Sequence, residues 1–174
     1  MKMVFLPQPF PIWKLAKMNK SILFLILTIG ASFCYSQEYS KHYLTRKAQF
    51  ESSPETENEI IFLGNSITEG GAWKEMFKKH NVLNRGISGD VTLGILNRLD
   101  EVVSSKPSSI FLLIGINDLA RGKSTEHVTN NIEKIIKHIQ SDSPNTILYL
   151  QTILPVNPYV GKRFASHKNK QNSI

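Results

Sequence analysis

Four short runs of apolar residues, separated by stretches with helical spacing, constrain this chain more than any other feature. Ile60-Ile61-Phe62-Leu63 ends at Gly64, and Val82-Leu83 leads into Asn84-Arg85-Gly86. Ile110 to Ile114 is bounded by Pro107 and Gly115, and Thr146 to Leu154 is stopped by Pro155. Strands that are apolar at successive positions must be covered on both faces, which is the condition of a parallel sheet with helical crossovers. Helical spacing fills the intervals. Trp73, Met76 and Phe77 form one stripe, closed by Lys78-Lys79-His80. Leu93, Leu96, Leu99 and Val103 predict a single amphipathic helix from about Thr92 to Ser104. Val128, Ile132, Ile135, Ile136 and Ile139 predict another from about Ser124 to Gln140. The pattern is that of βαβ units, an α/β sandwich around a parallel sheet.

Ahead of this pattern lie two further segments. Residues 37–58 are polar and acidic near their end, and read as an N-terminal arm. Residues 1–36 hold Lys2, Lys14, Lys17, Lys20 and no acid, which leaves 17 basic against 14 acidic residues in the rest of the 174-residue chain. The formal net charge of +7 therefore comes largely from the leader and is no nucleic-acid footprint. Ile22 to Ile29 is a short apolar core behind Lys17 and Lys20, ending in Cys34-Tyr35-Ser36-Gln37. These are the parts of a secretory signal peptide. The expectation is cleavage after Ser36, a true start at Met18, and a secreted or periplasmic protein with no stable membrane span once mature. The core is shorter than the roughly 20 apolar residues of a spanning helix, and an uncleaved N-terminal anchor is the alternative. Cys34, the one cysteine, excludes a disulfide scaffold and a multi-cysteine metal site. Hydrophobic content of 41% with 20% charged residues excludes a disordered chain.

In an open parallel sheet, ligands bind beyond the carboxyl ends of the strands. Three polar, glycine-bearing loops fall there: Gly64-Asn65-Ser66-Ile67-Thr68-Glu69-Gly70-Gly71, Asn84-Arg85-Gly86-Ile87-Ser88-Gly89-Asp90, and Gly115-Ile116-Asn117-Asp118. Taken singly, Ser66 reads as a helix N-cap, Gly89 as a turn glycine and Asn117 as a turn or cap residue. Ser66 equally presents a hydroxyl at a helix N-terminus, where backbone N–H groups favour developing negative charge. The Gly64–Gly71 loop has no lysine after its glycines and no Gly-x-Gly-x-x-Gly, so it matches neither phosphate-binding motif.

Together, Gly64-Asn65-Ser66-Ile67, Gly89 within Ile87-Ser88-Gly89-Asp90, and Gly115-Ile116-Asn117-Asp118 resemble the first three blocks of the SGNH (GDSL-type) hydrolase superfamily. The resemblance runs from about Glu59 to Asn157, through Asn84 to Leu99 and Ile153-Leu154-Pro155-Val156. Within the superfamily it is similar to small secreted acylhydrolases akin to sialate O-acetylesterases and platelet-activating-factor acetylhydrolases. It implies a three-layer α/β/α sandwich with a flavodoxin-like parallel sheet in residues 59–174. It further implies a metal- and cofactor-free serine ester hydrolase acting on small acyl esters, with no nucleic-acid partner. O-acetylated sugars are the first guess, because the Ser66–Val82 connection has no room for a lid insertion. Ser66 would be the nucleophile. Its own N–H, the Gly89 N–H and the Asn117 side-chain amide would hold the oxyanion. Asn65, Asp90 and Asp118 would support the site, the two aspartates by ordering loops.

Two departures stand out. Asn65 occupies the place where the family has Asp, and the family's closing Asp-x-x-His block occurs nowhere in these residues. His42, His80, His127, His138 and His167 do not replace it: His42 lies in the arm, His80 in a lysine cluster, His127 and His138 off the apolar stripe. His167 is the weak candidate for a substitute base. Asn169 to Ile174 resembles the start of the next family helix. The expectation is a fold cut before its last strand and helix, with impaired catalysis. The competing reading is a non-catalytic carbohydrate- or ester-binding remnant of the same fold.

Overall fold

The computed structural model describes residues 38–153. The leader expected over residues 1–36, His167 and the helix start at Asn169 lie outside the described residues. Element order is α1 (Lys41–Glu51), β1 (Ile60–Gly64), α2 (Ser66–Glu69), α3 (Trp73–Met76), β2 (Val82–Gly86), α4 (Thr92–Leu96), α5 (Leu99–Ser104), β3 (Ser109–Leu113), α6 (Ile116–Ala120), α7 (Thr125–Asp142) and β4 (Ile147–Leu150). All strand pairs are parallel, in the order β2-β1-β3-β4. Gly64 pairs with Gly86 on one side and Leu113 on the other, so the loops after β1, β2 and β3 leave the sheet at one edge.

Each face of the sheet is covered in a different way. Ile61, Leu63, Ile110 and Leu112 point to one side and pack with Ile95, Leu99, Val102, Val103, Val128, Ile132, Ile135 and Ile139 from α4, α5 and α7. The α7 stripe read from the sequence is the buried one, and Ser124 caps the helix by accepting from the His127 N–H. The opposite face carries a row of stacked rings, Trp73–Phe62–Phe111–Tyr149, with centroids 3.9, 5.0 and 4.5 Å apart. Here the α3 stripe is short: none of its four residues is buried, and Met76 and Phe77 remain exposed.

Three local readings change. The single helix expected over Thr92–Ser104 is two, broken at Asn97-Arg98, and Leu93 from its stripe is exposed. The cause is Arg98. Its guanidinium turns inward to Asp90, Gly64 O and Arg85 O, and its backbone leaves the helical region at φ −130°, ψ 14°. Strand β4 covers Ile147–Leu150 of the expected Thr146–Leu154; at its start the Thr146 side chain donates to Pro107 O, and Leu154 lies outside the described residues. Within residues 37–58, Lys41–Glu51 forms a helix capped by Ser40, and its Tyr43 and Phe50 build a second small core with Ile87. The Tyr43 hydroxyl donates to Gly94 O at 2.7 Å, and burial pushes its ionisation up to about 12. No helix among the described residues is long and apolar enough to cross a membrane.

Candidate active site

Ser66, Gly89 and Asn117 each follow the carboxyl end of one of three adjacent strands, β1, β2 and β3. Strand β1 ends at Gly64, where an added Cβ would lie 2.4 Å from Leu113 O. Asn65 then caps α2, its Oδ1 accepting from the Ile67 N–H at 3.0 Å. Asn65 is fully buried and its Nδ2 has no protein partner among the described residues. The backbone turn that buries Asn65 leaves Ser66 exposed at the first helical position.

After β2, the Ile87 N–H donates to Gly64 O and the Asp90 N–H to Ile87 O, closing a turn around Ser88 and Gly89. Gly89 sits at φ +80°, a conformation that other L-residues enter only at a cost. After β3, Gly115 takes φ +117° and launches α6. Asn117 is buried, and its Nδ2 donates to Asp90 O at 2.8 Å, which ties the loop after β3 to the loop after β2. An amide carries two N–H donors, so this bond leaves one for a ligand.

Asp90 and Asp118 are both buried and both spent on structure. Asp118 accepts from the Thr92 N–H and hydroxyl, the latter at 2.6 Å, and so holds the start of α4. Asn131 on α7 extends the network, donating to Thr92 Oγ1 at 2.9 Å and contacting His127 Nε2 at 3.1 Å. Asp90 accepts from the Val91 N–H and, through Oδ2, from Arg98 Nε and Nη2 at 3.1 and 2.9 Å. Burial pushes the Asp90 carboxyl up to about 6, against the downward pull of the Arg98 guanidinium.

This raised value has a consequence for stability. Between about pH 4 and pH 6 the folded chain keeps a proton that the unfolded chain has released, so Asp90's contribution falls as pH rises. The whole swing is on the order of 3 kcal/mol. Urea unfolding of the native chain and of Asp90→Asn at pH 4.5 and pH 7 measures it. The native chain should lose about 2 kcal/mol relative to the variant on going up. A pH-independent difference would mean that Arg98 keeps Asp90 ionised throughout.

Among the described residues, three histidines have other side-chain partners and His80 is exposed. His42 bonds Glu69, His138 lies 3.1 and 3.3 Å from Asp100 and Asp142, and His127 stands 3.9 Å from Asp118. None hydrogen-bonds Ser66. Two cavities, of about 650 and 350 Å³, flank α1, and neither is lined by Ser66, Gly89 or Asn117. No group of three or more His, Cys, Asp or Glu among the described residues is arranged to hold a metal ion.

Sequence reasoning missed Glu69, Arg98 and Arg121. Arg98 is 2% exposed, and a charged residue reaches such burial only when paired. Its signal was a basic residue one place before Leu99, inside an apolar stripe. Glu69 and Arg121 gave none, because their partners lie 19 and 32 residues away.

Residues 62–173 match the model of the GDSL-like lipase/acylhydrolase family. The human platelet-activating factor acetylhydrolase IB subunit alpha1 is 29% identical over 109 residues, covering 59% of this chain and 46% of that protein. The chain thus spans about half the length of the curated relatives it matches. A Streptococcus pneumonia structure described in terms of platelet activating factor shares 26% identity and a TM-score of 0.66, over 89% of this chain and 74% of that one. A GDSL-like lipase from Bacteroides thetaiotaomicron has the same fold, with a TM-score of 0.61 at 23% identity over 75% of this chain and 68% of its own.

Proposed function

The chain belongs to the GDSL-like lipase/acylhydrolase family, and from that premise we propose that it is a serine ester hydrolase for small acyl esters whose turnover is impaired. The observation that carries this reading is the convergence of an exposed Ser66, a left-handed Gly89 and the Asn117 amide at the ends of three adjacent strands. Ser66 Oγ attacks the ester carbonyl carbon and its proton passes to solvent water. The carbonyl oxygen becomes an oxyanion, received by the N–H groups of Ser66 and Gly89 and the free amide proton of Asn117. Collapse breaks the bond to the alcohol oxygen, which leaves with the electron pair and takes up a proton. Water then attacks the acyl-Ser66 ester, releasing the carboxylic acid and restoring the hydroxyl.

The base is the weak point, since no histidine among the described residues hydrogen-bonds Ser66. In a related triad, loss of the histidine cost about six orders of magnitude in turnover, while the oxyanion hole and binding kept roughly 10³–10⁴ over water. The proposal extends to export, supported by Lys17 and Lys20 ahead of Ile22–Ile29, with residues 1–36 as leader, 37–58 as an N-terminal arm and 59–174 as the hydrolase domain. O-acetylated sugars are the proposed substrates. The second reading, a non-catalytic carbohydrate- or ester-binding protein of the same fold, is favoured by the same lack of a base bonded to Ser66 among the described residues.

Hydrolysis of acetyl esters by the chain tests this. The expected result is a weak acceleration over buffer that falls roughly a hundredfold in Asn117→Ala and falls measurably in Ser66→Ala, which removes the nucleophile. Fast turnover abolished by Ser66→Ala would overturn the impairment and reveal a base. Ester binding that survives Ser66→Ala with no acceleration at all would favour the second reading.

A further inference from the structure

Gly89 is held from both sides by charged residues that belong to other loops. On its N-terminal side, the Glu69 carboxylate accepts from the Ser88 N–H and the Ser88 hydroxyl, each at 2.5 Å. On its C-terminal side, Arg121 Nη2 donates to Gly89 O at 2.7 Å. Glu69 ends α2, the helix that Ser66 begins, and Arg121 closes α6, the helix that carries Asn117. The loop between them is thereby fastened to the elements bearing the other two proposed oxyanion donors. Glu69 is itself braced from α1, by His42 Nε2 at 3.0 Å and Arg46 Nε at 3.4 Å. Although burial works against the charge, the bonds from Ser88 and His42 hold the Glu69 carboxyl below its usual range.

We propose that Glu69 and Arg121 are positioning residues that clamp the Ser88-Gly89-Asp90 turn and aim the Gly89 N–H at the oxyanion. The need for a clamp follows from the turn itself. A glycine at φ +80° has wide freedom, and Ser88 lies exposed. An oxyanion donor is effective only when its direction is set before charge develops. Both anchors use an ionised partner, and charge-assisted bonds are roughly twice as strong as neutral ones. Neither side chain needs to touch substrate. This inference rests on the esterase reading above and adds to it the two residues that set the geometry of its hole.

The test is acetyl ester hydrolysis by the full chain and by Glu69→Ala, Glu69→Gln, Arg121→Ala and Arg121→Lys, with kcat and KM separated. Backbone amide exchange of residues 87–90 is followed in parallel. Loss of either anchor should lower kcat roughly tenfold with KM within about twofold, since a misplaced donor acts on the transition state and not on ground-state binding. Arg121→Lys should recover part of the rate, and Glu69→Gln should fall between wild type and Glu69→Ala. Exchange should quicken at 87–90 and stay unchanged in β1 and β3. If Asn117→Ala slows the reaction while all four variants match the wild type, the clamp is wrong and the esterase reading stands. If Asn117→Ala is also without effect, both fall. Should Glu69→Ala fail to fold, exposed Arg121 still decides the matter, and an unchanged kcat in Arg121→Ala overturns the proposal.

Discussion

Replacing Arg98 by methionine is expected to lower the unfolding free energy by about 3–5 kcal/mol, the range for breaking a buried ion pair by removing one partner. Methionine fills comparable space but supplies no donor. It would leave the Asp90 carboxylate, the Arg85 carbonyl and one bond to Gly64 O without their guanidinium. The cation also lies 5.8 Å from the Phe50 ring, whose face is shared by Arg46 at 4.6 Å and Arg85 at 4.8 Å. Urea denaturation at pH 7 measures the loss. The double variant Asp90→Asn/Arg98→Met should lose less than the sum of its parts, because the uncompensated charge is gone. A loss below about 1 kcal/mol in the single variant would show that the pair contributes little.

Gly86→Ala should be comparably severe, for a steric reason. A Cβ at Gly86 would lie 2.1 Å from the Glu69 N atom, 2.5 Å from its Cα and 2.7 Å from the Thr68 carbonyl carbon. All three are backbone atoms of α2, so no rotamer change relieves the clash. Overpacking costs about 1–3 kcal/mol where side chains can yield, and here about 3 kcal/mol or more is expected. Because α2 begins with Ser66 and ends with Glu69, any surviving fold should also lose its ester acceleration. Thermal melting and the hydrolysis rate check both parts. Gly122→Ala separates clash from strain: it sits at φ +82° with nothing within 4 Å of the added carbon. It should cost only about 1 kcal/mol.

Much of the architecture was legible in local pattern. The runs Ile60–Leu63 and Ile110–Ile114 are buried strands because a parallel sheet dehydrates both faces at once. The α7 stripe is equally direct, since Val128, Ile132, Ile135 and Ile139 recur on one side of a long helix. The Thr92–Ser104 stretch was misread because periodicity assumes a helix that continues. There, an ion pair to Asp90, outside the helix, outweighed local preference and turned Arg98 inward. Lys41–Glu51 was missed for a related reason. Its two buried residues, Tyr43 and Phe50, are too sparse to mark a helix until Ile87 and the three arginines are placed against them.

The sequence by itself determined the four strands and the long helix before the last of them, the parallel sheet, and three glycine-bearing loops with Ser66, Gly89 and Asn117 at its carboxyl edge. Each of these depends on residues near one another along the chain. Only the tertiary structure decided that Asp90 belongs to Arg98, that Asp118 holds Thr92, and that Glu69 and Arg121 fasten the Gly89 turn. Those pairings span 8, 26, 19 and 32 residues. Apolar periodicity says which face is buried and nothing about polar partners across loops, because a hydrogen bond is set by where the fold brings two atoms together.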